Sequence, residues 1–206
     1  MGAERDLLDQ GAFSLSRWIS ISGVVPARLE RARAPARLRS RPIRTAILTV
    51  STSVSRRERE DLSGPALAAA ADAAGCEVLA MEVVPDDFAL IEDRLHHFVG
   101  EGYDLVFTTG GTGLTPNDIT PEATLAVIDR EAPGFAEQMR AEGLKYTPMG
   151  ILTRGVSGIA GQTLIVNFPG SPKAIDQLFP VLAPTLKHVV RTLRGDSSHH
   201  ESDRAG

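Results

Sequence analysis

Three glycines crowd the exit of an apolar run. Leu105-Val106-Phe107 reads as a buried strand, Thr108-Thr-Gly-Gly-Thr-Gly113 follows at once, and residues 123–128 then take up helical spacing. A strand that turns into a helix through glycines can bring its backbone close to a ligand. It also leaves N–H groups bare, which is what a phosphate requires. Asp118 follows a few residues later and could be bridged to that phosphate by magnesium. The other reading is a tight turn with no ligand. Gly-Lys-Ser/Thr does not follow, and G-x-G-x-x-G is absent, so neither a Walker loop nor a dinucleotide fingerprint is present.

The same alternation of strand and helix runs through most of the chain. Thr45–Ser51 is rich in Ile, Leu and Val and predicts a buried strand. Ser63-Gly64-Pro65 supplies a cap and an early helical proline, and Ala66–Ala74 is a strong helix former ended by Gly75. A second strand is expected over Val78–Val84, a turn at Pro85-Asp86-Asp87, and a helix with Phe88, Ile91, Leu95, Phe98 and Val99 on one face. Leu105–Thr108 is the third strand, and Thr120-Pro121 starts the next helix. Such order builds right-handed crossovers and a mostly parallel α/β sheet. Ligands of such sheets sit beyond the carboxyl ends of the strands. Residues 51–55, 85–87 and 110–118 all follow strand ends and are expected to share one crevice.

Further along, residues 134–144 have helical spacing, and Gly161-Gln162 could turn a hairpin between Val156–Ile159 and Thr163–Asn167. Phe168-Pro-Gly-Ser-Pro172 is a second tight loop after a strand. Residues 174–193 form an amphipathic segment that Pro180 and Pro184 would kink or split.

Charge divides the chain unevenly. Residues 1–44 hold nine arginines against four acids, whereas residues 45–206 hold 13 basic against 22 acidic residues. The first 42 residues, with Pro26, Pro35 and Pro42 among the arginines, are expected to be a disordered basic arm. Residues 43–195 are expected to form the catalytic domain, and 196–206 a polar tail. The acidic body argues against a nucleic-acid partner, and no apolar run approaches the length of about 18 residues needed to span a membrane. A single cysteine, Cys76, excludes an internal disulfide and fits a reducing, cytoplasmic compartment. It reads as a small buried hydrophobe.

The chemistry-bearing candidates fall into three groups. The first is the turn itself: Gly110, Gly111 and Gly113 for their amides, Thr109 and Thr112 for their hydroxyls. The second is Asp86 and Asp118, hard oxygen ligands for Mg2+, with helix capping as the alternative for each and as the favoured role for Asp87. The third is the Pro169-Gly170-Ser171 loop, where Ser171 both caps a helix beginning at Pro172 and opens a second anion pocket. Lys145, Lys173, Arg140 and Arg154 are candidate charge donors that could equally be surface residues.

Taken in order, Ser63-Gly-Pro65, Thr108-Thr-Gly-Gly-Thr-Gly113, Asp118-Ile-Thr-Pro-Glu-Ala-Thr124, Asp129-Arg-Glu131, Pro133-Gly-Phe135, Gln138-Met-Arg140 and Asn167-Phe-Pro-Gly-Ser-Pro-Lys-Ala174 resemble the MogA/MoaB family of molybdenum cofactor biosynthesis, to which the G domain of gephyrin and its plant counterpart are related. The resemblance covers residues 45–194. It implies a three-layer α/β domain, a homotrimer, and molybdopterin adenylyltransferase activity, in which molybdopterin phosphate and ATP give adenylyl-molybdopterin and pyrophosphate with Mg2+. It assigns magnesium and ATP positioning to Asp86 and Asp118, and nucleotide or pterin phosphate to residues 110–113 and 169–171. It also implies hand-over to a molybdate-inserting enzyme. Two departures stand out. Ser51-Thr52-Ser53 replaces the Ser-Asp or Ser-Asn-Arg common after the first strand, and Asn117 stands where many members carry Arg. The first motivates the alternative of a non-catalytic molybdopterin-binding module that passes cargo to a partner. A molybdate-inserting enzyme of related fold would need further domains.

Overall fold

The computed structural model describes residues 41–195; the expected tail 196–206, and the expected arm except for its last two residues, lie outside them. Six strands form one sheet: β1 Ile43–Val50, β2 Cys76–Val84, β3 Leu105–Thr109, β4 Arg130–Glu131, β5 Ser157–Ala160 and β6 Thr163–Phe168, in the order β2-β1-β3-β6-β5-β4. The first four in that order run parallel. β5 turns back antiparallel on β6, and the two-residue β4 pairs antiparallel with β5. The mostly parallel sheet expected from the alternation is present, with an antiparallel margin.

Helices cover both faces, as the alternating side chains of the central strands require. Ile47, Phe107, Val166 and Phe168 point to one side and pack under α2 Ser63–Ala73, α5 Gly134–Gly143 and α6 Pro172–Leu193. Ala46, Leu48, Val106 and Ile165 point to the other, under α3 Phe88–Gly100 and α4 Thr120–Val127. This is the three-layer arrangement. Phe107 meets both Phe168 and Phe179 edge-on, with centroids 5.6 Å apart in each pair. Cys76 is buried in the first of these cores, and that burial pushes its thiol above the ordinary range.

Expectation and structure part in five places. α6 is not split by Pro180 and Pro184. Both prolines lie on its exposed face, where carbonyls deprived of their helical donors can turn to water. Opposite them Ile175, Leu178, Phe179, Leu182, Leu186 and Val190 are buried, each worth about 1.5–3 kcal/mol, which outweighs interior prolines costing about 3 kcal/mol apiece. The Ser63 cap is also corrected. Ser63 is the first residue of α2, and the Asp61 carboxylate accepts the N–H groups of Ser63 (3.0 Å) and Gly64 (2.9 Å). A short helix α1, Thr52–Ser55, and a 3-10 turn at Pro148–Leu152 had no sequence signal. β4 is likewise too short for periodicity to reveal.

Candidate active site

Four parallel strands deliver their exits to one end of the sheet. There a cavity of about 280 Å³ is lined by Ser51 and Ser53 after β1, Asp86 after β2, Gly110 and Gly111 after β3, and Gly170 and Pro172 after β6. The three loops expected to share a crevice do share it. The segment Arg59–Ser63 closes the remaining wall; of its residues only Ser63 lies in a motif quoted from the sequence.

The glycine turn is shaped by what holds its carbonyls. The Gly110 carbonyl accepts the Thr120 hydroxyl at 2.9 Å and the Gly111 carbonyl accepts the Thr120 N–H at 3.1 Å. The Thr112 carbonyl accepts the Arg154 N–H at 2.8 Å, and the Gly113 carbonyl accepts Arg154 Nε at 2.7 Å. In a trans peptide the next N–H points away from the carbonyl. The Gly111 and Thr112 amides are therefore turned away from Thr120 and have no acceptor among the described residues. Gly110 and Gly111 adopt φ of 96° and 59°, a region open to glycine. Gly170 closes on the same turn: a Cβ there would lie 3.2 Å from Gly110 Cα.

Asp86 faces this turn. Its Oδ2 accepts the Thr52 N–H (2.8 Å) and the Thr52 hydroxyl (2.7 Å), while its own N–H donates to Thr52 Oγ1 (3.0 Å). Oδ1 accepts nothing among the described residues and lies 3.3 Å from where a Cβ on Gly111 would stand. Asp86 is thus not a helix cap. Asp87 is: it accepts the Leu90 N–H at 3.1 Å. Asp118 borders a different glycine of the turn, with Oδ2 2.9 Å from a Cβ on Gly113, and is not among the residues lining the cavity. Its carboxylate accepts the Thr115 N–H at 2.8 Å and hydroxyl at 2.6 Å, so it closes the 115–118 turn instead of capping α4. Partial burial works against its ionisation. The Thr115 hydroxyl and N–H, the nearby Gly113 amide and the Arg154 charge outweigh that, and hold its carboxyl below the ordinary range.

Other candidates take positions that sequence did not foretell. Thr109 is fully buried and its hydroxyl donates to the Pro169 carbonyl at 3.0 Å. It joins the two loops, and the expected hydroxyl contact with a ligand is not available to it in this conformation. Thr112 is buried too, its hydroxyl 3.4 Å from that of Thr153. Ser171 caps α6 by accepting the Ala174 N–H at 3.4 Å; Pro169 lies outside the cavity lining. Arg154, a candidate charge donor in sequence, turns out to hold the turn together. Besides its bonds to Thr112 and Gly113 it reaches the Asp118 carbonyl and the Glu122 carboxylate, clasping the whole turn to the start of α4. Asp61 is the chief omission: its Oδ2 accepts the Thr49 hydroxyl at 2.7 Å while Oδ1 caps α2. Beneath the site, the buried Asn167 amide donates to Thr108 and Thr124 at 2.9 Å each and accepts the Val156 N–H at 3.2 Å.

The cavity is therefore lined by amides and hydroxyls, with one arginine, Arg59, against three acids, Glu60, Asp61 and Asp86. Among the described residues no cluster of three or more His, Cys, Asp or Glu side chains could hold a metal ion. Magnesium needs no such cluster, since it is commonly held by one or two carboxylates with substrate phosphates and water completing its shell. The free Oδ1 of Asp86 beside unpaired amides fits that manner of binding.

Residues 46–188 match the family described as "Probable molybdopterin binding domain". The chain is 36% identical over 155 residues to the molybdenum cofactor synthesis protein cinnamon of Drosophila melanogaster, covering 74% of this chain but only 26% of that protein. It is 40% identical over 157 residues to the molybdopterin adenylyltransferase of Helicobacter pylori strain J99, covering 75% of this chain and 89% of the relative. Among solved structures, the molybdopterin biosynthesis enzyme MoaB of Thermus thermophilus superposes with a TM-score of 0.71 at 45% identity, covering 74% of this chain and 97% of that one. The chain belongs to the MogA/MoaB family of molybdopterin-binding domains.

Proposed function

We propose that the protein is a molybdopterin adenylyltransferase: the terminal phosphate of molybdopterin attacks the α-phosphorus of ATP, giving adenylyl-molybdopterin and pyrophosphate. One observation carries the reading. The exits of all four parallel strands meet at a cavity where the Gly111 amide, free of an internal partner, stands beside a carboxylate with one uncommitted oxygen. The similarity to adenylyltransferases of the same length class supports it.

Both reactants are anions, so their mutual repulsion is the obstacle. Within the 110–113 turn the unpaired Gly111 amide would donate to a phosphate oxygen, and Gly170 lets the second loop approach it. The start of α6 at Pro172 adds the positive end of a 22-residue helix. Asp86, with Asp118 as the second carboxylate of the proposal, would hold the magnesium that ATP brings. A bound magnesium ion would supply charge neutralisation at the transferring phosphorus. No protein base is required, because a phosphate monoester with a second pKa of about 6 is already ionised near neutral pH.

A homotrimer in the cytoplasm, handing its product to a molybdate-inserting enzyme, completes the proposal. Self-association is supported by the apolar row Leu79, Met81 and Val83 on edge strand β2, each between 41% and 49% exposed. No described helix is long and apolar enough to cross a membrane.

The test is pyrophosphate release by the purified protein given molybdopterin, ATP and magnesium, beside Asp86→Ala and Asp118→Ala. Release by the wild type and its loss in the variants is expected. Tight pterin binding with no pyrophosphate would favour the binding module, a reading to which the acidic balance of the cavity lends support.

A further inference from the structure

We infer that Thr52 is a positioning residue that fixes which oxygen of Asp86 the cavity receives; the inference rests on the proposed role of Asp86. Thr52 does not line the cavity, although its neighbours Ser51 and Ser53 do. It acts from behind. Its hydroxyl serves twice: it donates to Asp86 Oδ2 at 2.7 Å and accepts the Asp86 N–H at 3.0 Å. Its own N–H donates to the same Oδ2 at 2.8 Å. Three hydrogen bonds between residues 34 apart tie the exit of β1 to the exit of β2.

The consequence lies in the carboxylate. An oxygen that already accepts two donors is poorly placed to bind a cation, whereas its twin is open. Oδ1, on the Gly111 side, is the open one. Asp86 therefore offers a cation one oxygen and not a bidentate pair, which suits the small octahedral shell of magnesium. The hydroxyl is held in this direction from both sides, by Asp86 Oδ2 and by the Asp86 N–H. An acidic side chain at position 52 would present a second negative charge to Oδ2 and no side-chain donor, leaving only the backbone N–H.

The variants that isolate the hydroxyl are Thr52→Val, which keeps the branch and the N–H, and Thr52→Ser, which keeps the hydroxyl. Ligand-free crystal structures give the first reading. The Asp86 carboxylate is expected to turn in Thr52→Val and to keep its direction in Thr52→Ser. Titration with Mn2+, in the presence of an ATP analogue that cannot be cleaved between its α- and β-phosphates, gives the second. Thr52→Val is expected to bind the ion about tenfold more weakly, the scale of one charge-assisted hydrogen bond, and Thr52→Ser within about twofold of wild type. The metal-free analogue should bind all three alike. An unmoved carboxylate in Thr52→Val, or unchanged Mn2+ affinity, overturns the inference. A wild-type protein that releases no pyrophosphate overturns the proposed function instead, and the two readings above still decide the role of Thr52.

Discussion

A Cβ on Gly110 would lie 2.2 Å from the carbonyl oxygen of Val50. That oxygen belongs to the end of β1, so the glycine turn can pass over the neighbouring strand only because position 110 has no side chain. The backbone there has φ 96°, which adds strain for any other residue. Gly110→Ala should cost about 3 kcal/mol or more, lowering the melting temperature by roughly 6 °C or more. Thermal unfolding followed by circular dichroism measures it; a loss of a degree or less would mean that the turn relaxes freely.

Asn167 is 1% exposed and satisfies three partners drawn from β3, α4 and the segment before β5. Removing it strands two buried hydroxyls and an amide. Asn167→Ala should destabilise by about 2–4 kcal/mol, because unpaired buried polar groups forfeit their solvation. Urea unfolding would show this as a lower midpoint with an unaltered slope. The damage should also reach function, since Thr108 and Thr124 flank the glycine turn.

The depressed carboxyl of Asp118 makes a pH prediction. Its pKa is lower in the folded protein than in the unfolded chain. The stability it contributes is therefore complete above the unfolded value of about 3.9 and drains away as pH falls through the folded value. Wild type should exceed Asp118→Asn in stability at pH 7 by a modest margin, since the group is mostly solvated and screened. That margin should close below about pH 4. Paired urea titrations at the two pH values test it; a gap that ignores pH would assign the effect to shape alone. Glu122 is depressed chiefly by the Arg154 hydrogen bond and should behave with the same sign.

What could be read before the structure follows from how far each signal travels along the chain. β1, β3 and β6 are buried on both faces almost throughout and appear as short runs rich in Ile, Leu, Val and Phe. In α3, Ile91, Leu95 and Phe98 are buried as their spacing foretells, although Phe88, assigned to the same face, is 41% exposed. The crevice was legible because glycines and prolines mark strand exits locally. The role of Arg154 was not, since its partners lie 32 to 42 residues away and nothing in its own neighbourhood distinguishes it from a surface arginine. Asp61 was hidden for a related reason: the helix-start pattern drew attention to Ser63, while the acid two residues earlier bonds both α2 and Thr49. Thr109 was misjudged because sequence cannot tell which face of a strand's last residue turns inward.

The order of the sheet carries a consequence for synthesis. β3 finds its second neighbour only in β6, and Gly170, just beyond β6, packs against Gly110 in the cavity wall. A nascent polypeptide that has emerged from the ribosome as far as β5 can pair β2, β1 and β3, yet it holds an open trough and no binding chamber. The proposed binding chamber is complete only once the stretch from Thr163 to Pro172 has docked.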